Sequence, residues 1–219
     1  TALALAAGIE LYRTRHEGDA AIDRALVVLA LVSGFASAHH QTIALLGPGL
    51  AVLVWKSGAL PRIRARFAHL FARFVAPIVG FYAVLYFAAS RDPLSSWGDV
   101  HSLSALVDLL TRQDYGGLTS PHLGGKQLDG AQLATSWLEG QGLSFGWLLL
   151  LVAAFGAVAT FRRAPDDRPI VVALLLSVLV SGPVFAVMNA LEVDSEHGRA
   201  FAERFSTMSA VPIGILVGL

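Results

Sequence analysis

The chain has 219 residues, of which 55% are apolar and 15% are charged, with a mean hydropathy of +0.62. Water-soluble domains carry about 25% charged residues, so this composition indicates an integral membrane protein. Its 16 Lys and Arg residues balance 16 Asp and Glu residues, and it has no cysteine, which excludes the basic excess of a nucleic-acid-binding protein and any disulfide or thiolate chemistry.

Apolar segments recur along the chain and predict an all-α fold, a polytopic bundle of transmembrane helices that forms one membrane domain over 1–219. A complete span needs about 20 residues. Thr1 is not preceded by an initiator Met or a basic segment, and the last apolar run is short, so we expect a fragment of a longer protein. The predicted spans are 1–12 (partial), 25–38, 43–55, 74–90, 143–161, 169–190 and 205–219 (partial).

Charge is distributed unevenly between the segments that connect these spans. The segments 13–24, 56–73 and 162–168 together hold 11 Lys or Arg and 5 acidic residues. The segments 91–142 and 191–204 hold 5 basic and 10 acidic residues. The positive-inside rule therefore predicts that the first group is cytoplasmic and the second extracytoplasmic.

The short spans 25–38 and 43–55 fit either a helical hairpin or one kinked helix. The predicted alternation of sides is satisfied only by the hairpin, with 39–42 at its outward tip. The Gly47-Pro48-Gly49 run is expected to break or bend the second arm, since proline removes a backbone donor. Irregular backbone at membrane depth survives where it lines a protected cavity, so we expect a cavity beside the tip.

The predicted extracytoplasmic loop 91–142 is patterned. Within 101–112 the apolar residues Leu103, Leu106, Val107 and Leu110 have helical spacing and predict an amphipathic interfacial helix. Asp99 or Ser102 is the predicted cap. A second helix is predicted over 131–139, with Gly140 and Gly142 as breakers before the next span.

The densest polar group at a membrane boundary is His39-His40-Gln41-Thr42. Ionisable residues in or near the membrane are costly to desolvate and are commonly functional, which favours ligand binding. The alternative is a hydrogen-bonded clamp between helices. Metal binding by the histidine pair is disfavoured, because neighbouring residues do not face each other on a helix and no third ligand is evident.

Three further motifs lie in the predicted extracytoplasmic segments. Arg112, followed by Tyr115, is suited to bidentate contact with a phosphate, or else extends to lipid headgroups. Trp97 and Asp99 could orient a sugar, or serve as an interfacial tryptophan and a helix cap. Glu203-Arg204 fits a surface ion pair or a ligand clamp.

Four motifs in this order and spacing resemble a known family. They are Gly34–Thr42 with Pro48 after it, Arg91–Asp99, Arg112–Gly116, and Glu203-Arg204-Phe205. The sequence from about Arg13 onward resembles a bacterial membrane family of unknown function, related to protein O-mannosyltransferases of the C-type glycosyltransferase superfamily. It departs from the family at Ser206-Thr207 and in the glycine-rich stretch after Tyr115.

The resemblance implies a membrane enzyme that takes a sugar, mannose by analogy, from a polyprenyl-phosphate donor and gives it to a Ser or Thr hydroxyl of an exported protein. It would lie in the bacterial cytoplasmic membrane, active on its extracytoplasmic face, without a cofactor or metal and with no nucleic-acid partner. His39, His40, Arg112 and Arg204 are the candidate phosphate-binding residues; Gln41, Trp97, Asp99, Tyr115 and Glu203 are candidate sugar or acceptor contacts.

The catalytic carboxylate of such enzymes usually lies in the first extracytoplasmic loop, which is expected before Thr1. Two other functions stay open at this point. One is a transporter or flippase of lipid-linked sugars that uses the broken hairpin, and the other is a non-catalytic membrane scaffold.

Overall fold

The computed structural model describes residues 1–39, 41–91, 100, 102–111, 130–185 and 208–218. These residues are predominantly helical and none of them forms a β-strand, so the predicted all-α class is confirmed for them. The α-helices are α1 (Ala2–Arg13), α2 (Asp19–His39), α3 (Gly47–Lys56), α4 (Leu60–Ala65), α5 (Phe67–Ala89), α6 (Leu103–Thr111), α7 (Gly130–Phe145), α8 (Trp147–Arg163), α9 (Arg168–Leu179) and α10 (Met208–Val217).

Three helical segments of the described chain are long and apolar enough to cross a membrane. They are Asp19–His39, Phe67–Ala89 and Pro165–Val184, and the pair α7–α8 makes a fourth if it is counted as one bent span. Large apolar side chains remain exposed on α5 and α8, among them Val84, Phe87 and Phe155. An apolar surface of this kind needs an apolar surrounding, which is consistent with membrane association.

The helices pack against one another as a series of neighbouring pairs. Helix α2 packs between α5 and α1, α1 also contacts α3, α3 packs on α9, and α9 contacts α8. One core cluster joins α1, α3, α8, α9 and α10 around Leu5, Leu53 and Leu174, while a second joins α1, α2 and α5 around Leu11, Leu26 and Leu70.

Two glycines allow these helices to approach closely. A Cβ at Gly34 of α2 would overlap the backbone carbonyl of Phe74 on α5. A Cβ at Gly49 of α3 would overlap the hydroxyl of Ser177 and the carbonyl of Ala173, both on α9. Small residues at helix contacts are the usual means of close packing in membranes, where lipid competes for apolar surface.

The start of α2 is tied to α4 and α5 by ion pairs. Arg62 binds Asp19 and also lies 3.6 Å from the Asp23 carboxylate, while Arg66 contacts Asp23 at 2.9 Å. The hydrogen bond that Arg62 donates to the Asp19 carboxylate raises the pKa of the Arg62 guanidinium. Because Arg62 follows α3 by only a few residues, the chain has returned to the end from which α2 began, as the hairpin interpretation requires.

A second link brings the third basic segment to the same end. The Tyr12 hydroxyl at the end of α1 donates to the backbone carbonyl of Asp166 over 2.5 Å. The segments 13–24, 56–73 and 162–168 are therefore linked by contacts at one end of the described helices, and the side of the membrane that they face stays a prediction.

Two helices begin earlier than the predicted spans that they contain. Helix α2 begins six residues before the predicted span 25–38, with Asp19 in its first turn, where a carboxylate is favoured by the helix dipole. Helix α5 likewise begins at Phe67 and not near residue 74. In both cases charged residues at the helix start are stabilised by the ion pairs just described, which hydropathy alone does not register.

Gly140 and Gly142 do not end the second helix of the predicted outer loop. Helix α7 runs through both to Phe145, and the chain then bends by 103° into α8. The break occurs at Gly146, whose φ of 77° is a left-handed conformation that favours glycine. The expected border between the loop 91–142 and the span 143–161 is therefore crossed by one helix.

The Gly47-Pro48-Gly49 run starts α3 and does not break it. Proline is compatible with the first turn of a helix, because the amide it removes would have no intrahelical partner there. The irregular stretch comes immediately before, as a 3₁₀ helix over Gln41–Leu46.

The predicted amphipathic helix over 101–112 is found as α6, Leu103–Thr111. Ser102 caps it, since its hydroxyl accepts a hydrogen bond from the Ala105 amide at 3.1 Å. Leu103 and Val107 on its apolar face are exposed, which leaves that face available to an interface.

Candidate functional site

The predicted site residues fall mostly outside the described part of the chain. His39 is the last residue of α2 and its side chain is exposed, and the backbone of Gln41 opens the 3₁₀ helix Gln41–Leu46. The remaining predicted residues lie outside the described residues: His40, Trp97, Asp99, Arg112, Tyr115, Glu203 and Arg204. Whether they come together is therefore still a prediction.

The tip of the hairpin is packed where it is described. Thr42, Ile43 and Leu46 are buried, and the 3₁₀ helix Gln41–Leu46 contacts a π-helical turn over Val180–Val184. Ile43 and Leu46 belong to the core cluster that also contains residues of α1, α3 and α9, and the cavity expected beside the tip stays a prediction.

The π-helical turn interrupts the apolar segment that follows α9. Gly182 has non-helical angles of φ −103° and ψ −106°, and Pro183 next to it supplies no backbone amide. The hydroxyl of Ser177 on α9 donates to the carbonyl of Ala173 at 2.8 Å, and that of Ser181 within the π-helical turn donates to the carbonyl of Ser177 at 2.6 Å. Serine hydroxyls that bond back to their own helix frequently accompany helix bending.

Trp137 of α7 connects this turn to α10. Its indole lies against Gly182, where an added Cβ would come within 2.5 Å of the ring. Its Nε1–H donates to the buried Ser209 hydroxyl over 3.1 Å. The Trp137 side chain thus links α7 to the π-helical turn and to α10.

Trp137 also lines a groove of about 200 Å³ between α7, α8, α9 and α10. Its walls are almost entirely apolar, and three alanines of α8 leave the space that larger side chains would fill. Gln141 is its polar wall residue and is only 1% exposed. The groove is lined by Trp137, Leu138, Gln141, Leu150, Ala153, Ala154, Ala157, Leu175, Val178, Ile213 and Leu216.

The apolar walls of this groove suit a hydrocarbon better than a polar group. Apolar ligands gain about 0.8 kcal/mol for each methylene group removed from water, whereas a charged or strongly polar ligand would lose its hydration here. Among the described residues no group of three or more His, Asp or Glu side chains is placed to hold a metal ion.

Sequence reasoning missed the groove and most of the polar residues around it. Ser177 and Ser181 stand one turn apart in an otherwise apolar run, a spacing that marks one helix face. Trp137 was predicted on the second helix of the outer loop, but its partners are 45 and 72 residues away in the chain. No local pattern could have indicated them.

Comparison of the chain with protein-family models, with curated proteins and with solved structures finds no match. The functional assignment therefore depends on the residues and geometry of this chain.

Proposed function

We propose that the protein is a membrane glycosyltransferase of the protein O-mannosyltransferase type. It transfers a sugar from a polyprenyl-phosphate donor to a Ser or Thr hydroxyl of an exported protein, on the extracytoplasmic side of the bacterial cytoplasmic membrane. The spans form a polytopic bundle that carries the site at the end opposite the basic segments. The observation that carries the proposal is the apolar groove between α7, α8, α9 and α10.

The groove suits a short stretch of the lipid chain of such a donor. Its apolar walls suit an isoprenoid chain, and α8, one of the helices that line it, also carries exposed apolar side chains such as Leu151 and Phe155. A lipid can enter such a groove sideways from the bilayer, without passing through water. A soluble nucleotide sugar would find no partner for its charges on these walls.

The phosphate of the donor is assigned to His39, His40, Arg112 and Arg204. In the reaction, the acceptor oxygen forms a bond to the sugar carbon while the bond from that carbon to the phosphate oxygen breaks. A carboxylate takes the hydroxyl proton, and the polyprenyl phosphate leaves with the bonding electrons. The cationic residues stabilise the charge that develops on the leaving phosphate.

The test uses the intact protein and a polyprenyl-phosphate mannose donor with a Ser- or Thr-containing peptide. Substituting His39, His40, Arg112 and Arg204 one at a time is expected to lower transfer by about 10²-fold or more for a residue that stabilises the leaving group. Transfer that is unchanged in all four variants contradicts the site assignment. Absence of transfer by the wild-type protein with mannose and other sugars contradicts the proposed activity.

A transporter of lipid-linked sugars is the second candidate, and one observation favours it. Two irregular segments, the 3₁₀ helix Gln41–Leu46 and the π-helical turn Val180–Val184, contact each other. Paired discontinuous helices form the substrate sites of many transporters. Reconstitution in liposomes separates the two functions: a transporter moves the labelled donor across the bilayer without an acceptor, whereas a glycosyltransferase consumes it only when the acceptor is present.

A further inference from the structure

The junction between α3 and α5 presents a surface that the proposed sugar transfer does not use. We call it the α3–α5 collar and define it by exposed residues of two kinds, two cations and four large apolar side chains. They are Trp55, Lys56, Leu60, Arg64, Phe67 and Phe71.

The charge of this region is one-sided. The segment 56–73 contains five Lys or Arg residues and no acidic residue. Two of them, Arg62 and Arg66, are paired with Asp19 and Asp23 at the start of α2. Within the described part of the chain no carboxylate pairs with Lys56 or Arg64. The internal ion pairs thus hold the collar in place and leave these two cations to external anions.

The apolar side chains of the collar suit the border of a membrane. Trp55 is 60% exposed and its ring lies 4.2 Å from the Lys56 ammonium. Phe67 and Phe71 stack at 5.7 Å, one turn apart on α5, and both are exposed. Tryptophan prefers the headgroup level of the bilayer, next to cations that reach the phosphates, while phenylalanine enters the adjacent acyl boundary.

We infer that the α3–α5 collar binds the headgroups of anionic phospholipids. Its aromatic residues enter the upper acyl region while Lys56 and Arg64 contact the lipid phosphates. The inference depends on the membrane location in the proposed function, but not on sugar transfer. A soluble anion would gain only the two charges, so the apolar members of the collar favour a lipid as the occupant.

The chain contains a matched basic region for comparison. Arg162 and Arg163 at the end of α8 are also exposed, but Asp166 and Asp167 follow immediately. The third arginine of that region, Arg168, donates to the Phe161 carbonyl at 2.7 Å. Nearby acidic residues weaken the attraction between these arginines and an anionic surface. The region therefore serves as a control in which the same number of cations is replaced.

The experiment measures phosphatidylglycerol retained by the detergent-purified intact protein, by native mass spectrometry, and the affinity of that lipid by titration. The double variant Lys56→Gln/Arg64→Gln is expected to bind it about 30-fold more weakly, since each cation near an anionic surface contributes about fivefold. Trp55→Ala is expected to weaken binding in the same direction. Arg162→Gln/Arg163→Gln is expected to retain the wild-type affinity.

Three results would overturn the inference. One is a wild-type affinity in the Lys56→Gln/Arg64→Gln variant, and another is an equal loss in the control double variant. The third is inorganic phosphate displacing the lipid as effectively as added phosphatidylglycerol does, which would identify a site for free phosphate. Sugar transfer that fails while lipid retention follows this pattern contradicts the proposed function alone.

Discussion

The Trp137 indole of α7 donates a hydrogen bond to the Ser209 hydroxyl of α10 across 72 positions of sequence, and the same ring packs against Gly182. Trp137 also lines the apolar groove. These contacts explain why α7, which the sequence places in an outer loop, belongs to the packed part of the structure.

Replacing Trp137 by Phe is expected to lower stability modestly. The ring is largely kept but the Nε1–H donor is lost, and a hydrogen bond of this kind contributes about 0.5–1.5 kcal/mol. For a chain of this size the expected fall in Tm is about 2–4 °C per kcal/mol. The exposed Trp55→Phe is the control in a thermal-unfolding measurement, and an equal fall in Tm for both variants would contradict the role of the contact.

Gly49→Ala is expected to destabilise the contact between α3 and α9. The added methyl group would overlap the Ser177 hydroxyl and the Ala173 carbonyl, and overpacking of this kind costs about 1–3 kcal/mol. Gly47→Ala, two residues earlier in the same first turn, is the control, because nothing lies within 4 Å of a Cβ there. A Tm for Gly49→Ala at or above that of Gly47→Ala would show that the two helices are further apart in solution.

Asp23→Asn is expected to lower Tm more than Asp19→Asn does. The Asp23 side chain is 17% exposed and faces two arginines, whereas that of Asp19 is 81% exposed and faces Arg62 alone. Partial burial reduces screening by solvent, so the inner pairs contribute more than the outer one. The difference between the variants is expected to shrink at high salt, and a larger loss for Asp19→Asn would contradict this order.

Ala154→Leu is expected to reduce binding of a lipid-linked donor to the groove. Ala154 lines the groove, and a larger side chain there occupies part of its volume of about 200 Å³. The readout is the crosslinking yield of a polyprenyl-phosphate probe that carries a photoreactive group in its chain. Val158→Leu, one turn further along α8 and outside the lining, should crosslink as the wild-type protein does. An unchanged crosslinking yield in both variants would show that the polyprenyl chain of the probe binds outside the groove.

The sequence indicated which segments form helices, but it did not indicate the residues at which those helices begin. Apolar runs indicated α2, α5 and α9, although the run within α2 was shorter than a complete span, and the Ser102 cap and spacing of Leu103 and Val107 indicated α6. These features depend on neighbours within a few residues. The true starts of α2 and α5 depend on ion pairs between Asp23 and Arg66, which lie 43 positions apart, so hydropathy could not locate them.

The same distinction between local and long-range features applies to the candidate site. The residues with recognisable local motifs, from His39 to Arg204, could be proposed from sequence, and the described geometry leaves most of them as predictions. The groove could not be proposed, since its walls come from four helices, and an alanine such as Ala153 or Ala157 looks the same in sequence whether it borders a cavity or a packed core.

What the sequence alone determined is the apolar, all-helical character of the protein and the charge asymmetry that groups the segments 13–24, 56–73 and 162–168. Composition and short-range periodicity are enough for both. Only the tertiary structure decided at which residues the helices end or bend, and which other helices these positions contact. Gly146 bends the chain with a φ of 77°, whereas Gly47-Pro48-Gly49 forms the first turn of α3, where Gly49 lies against Ser177 and Ala173 of α9, and neither outcome can be read from the glycines in the sequence.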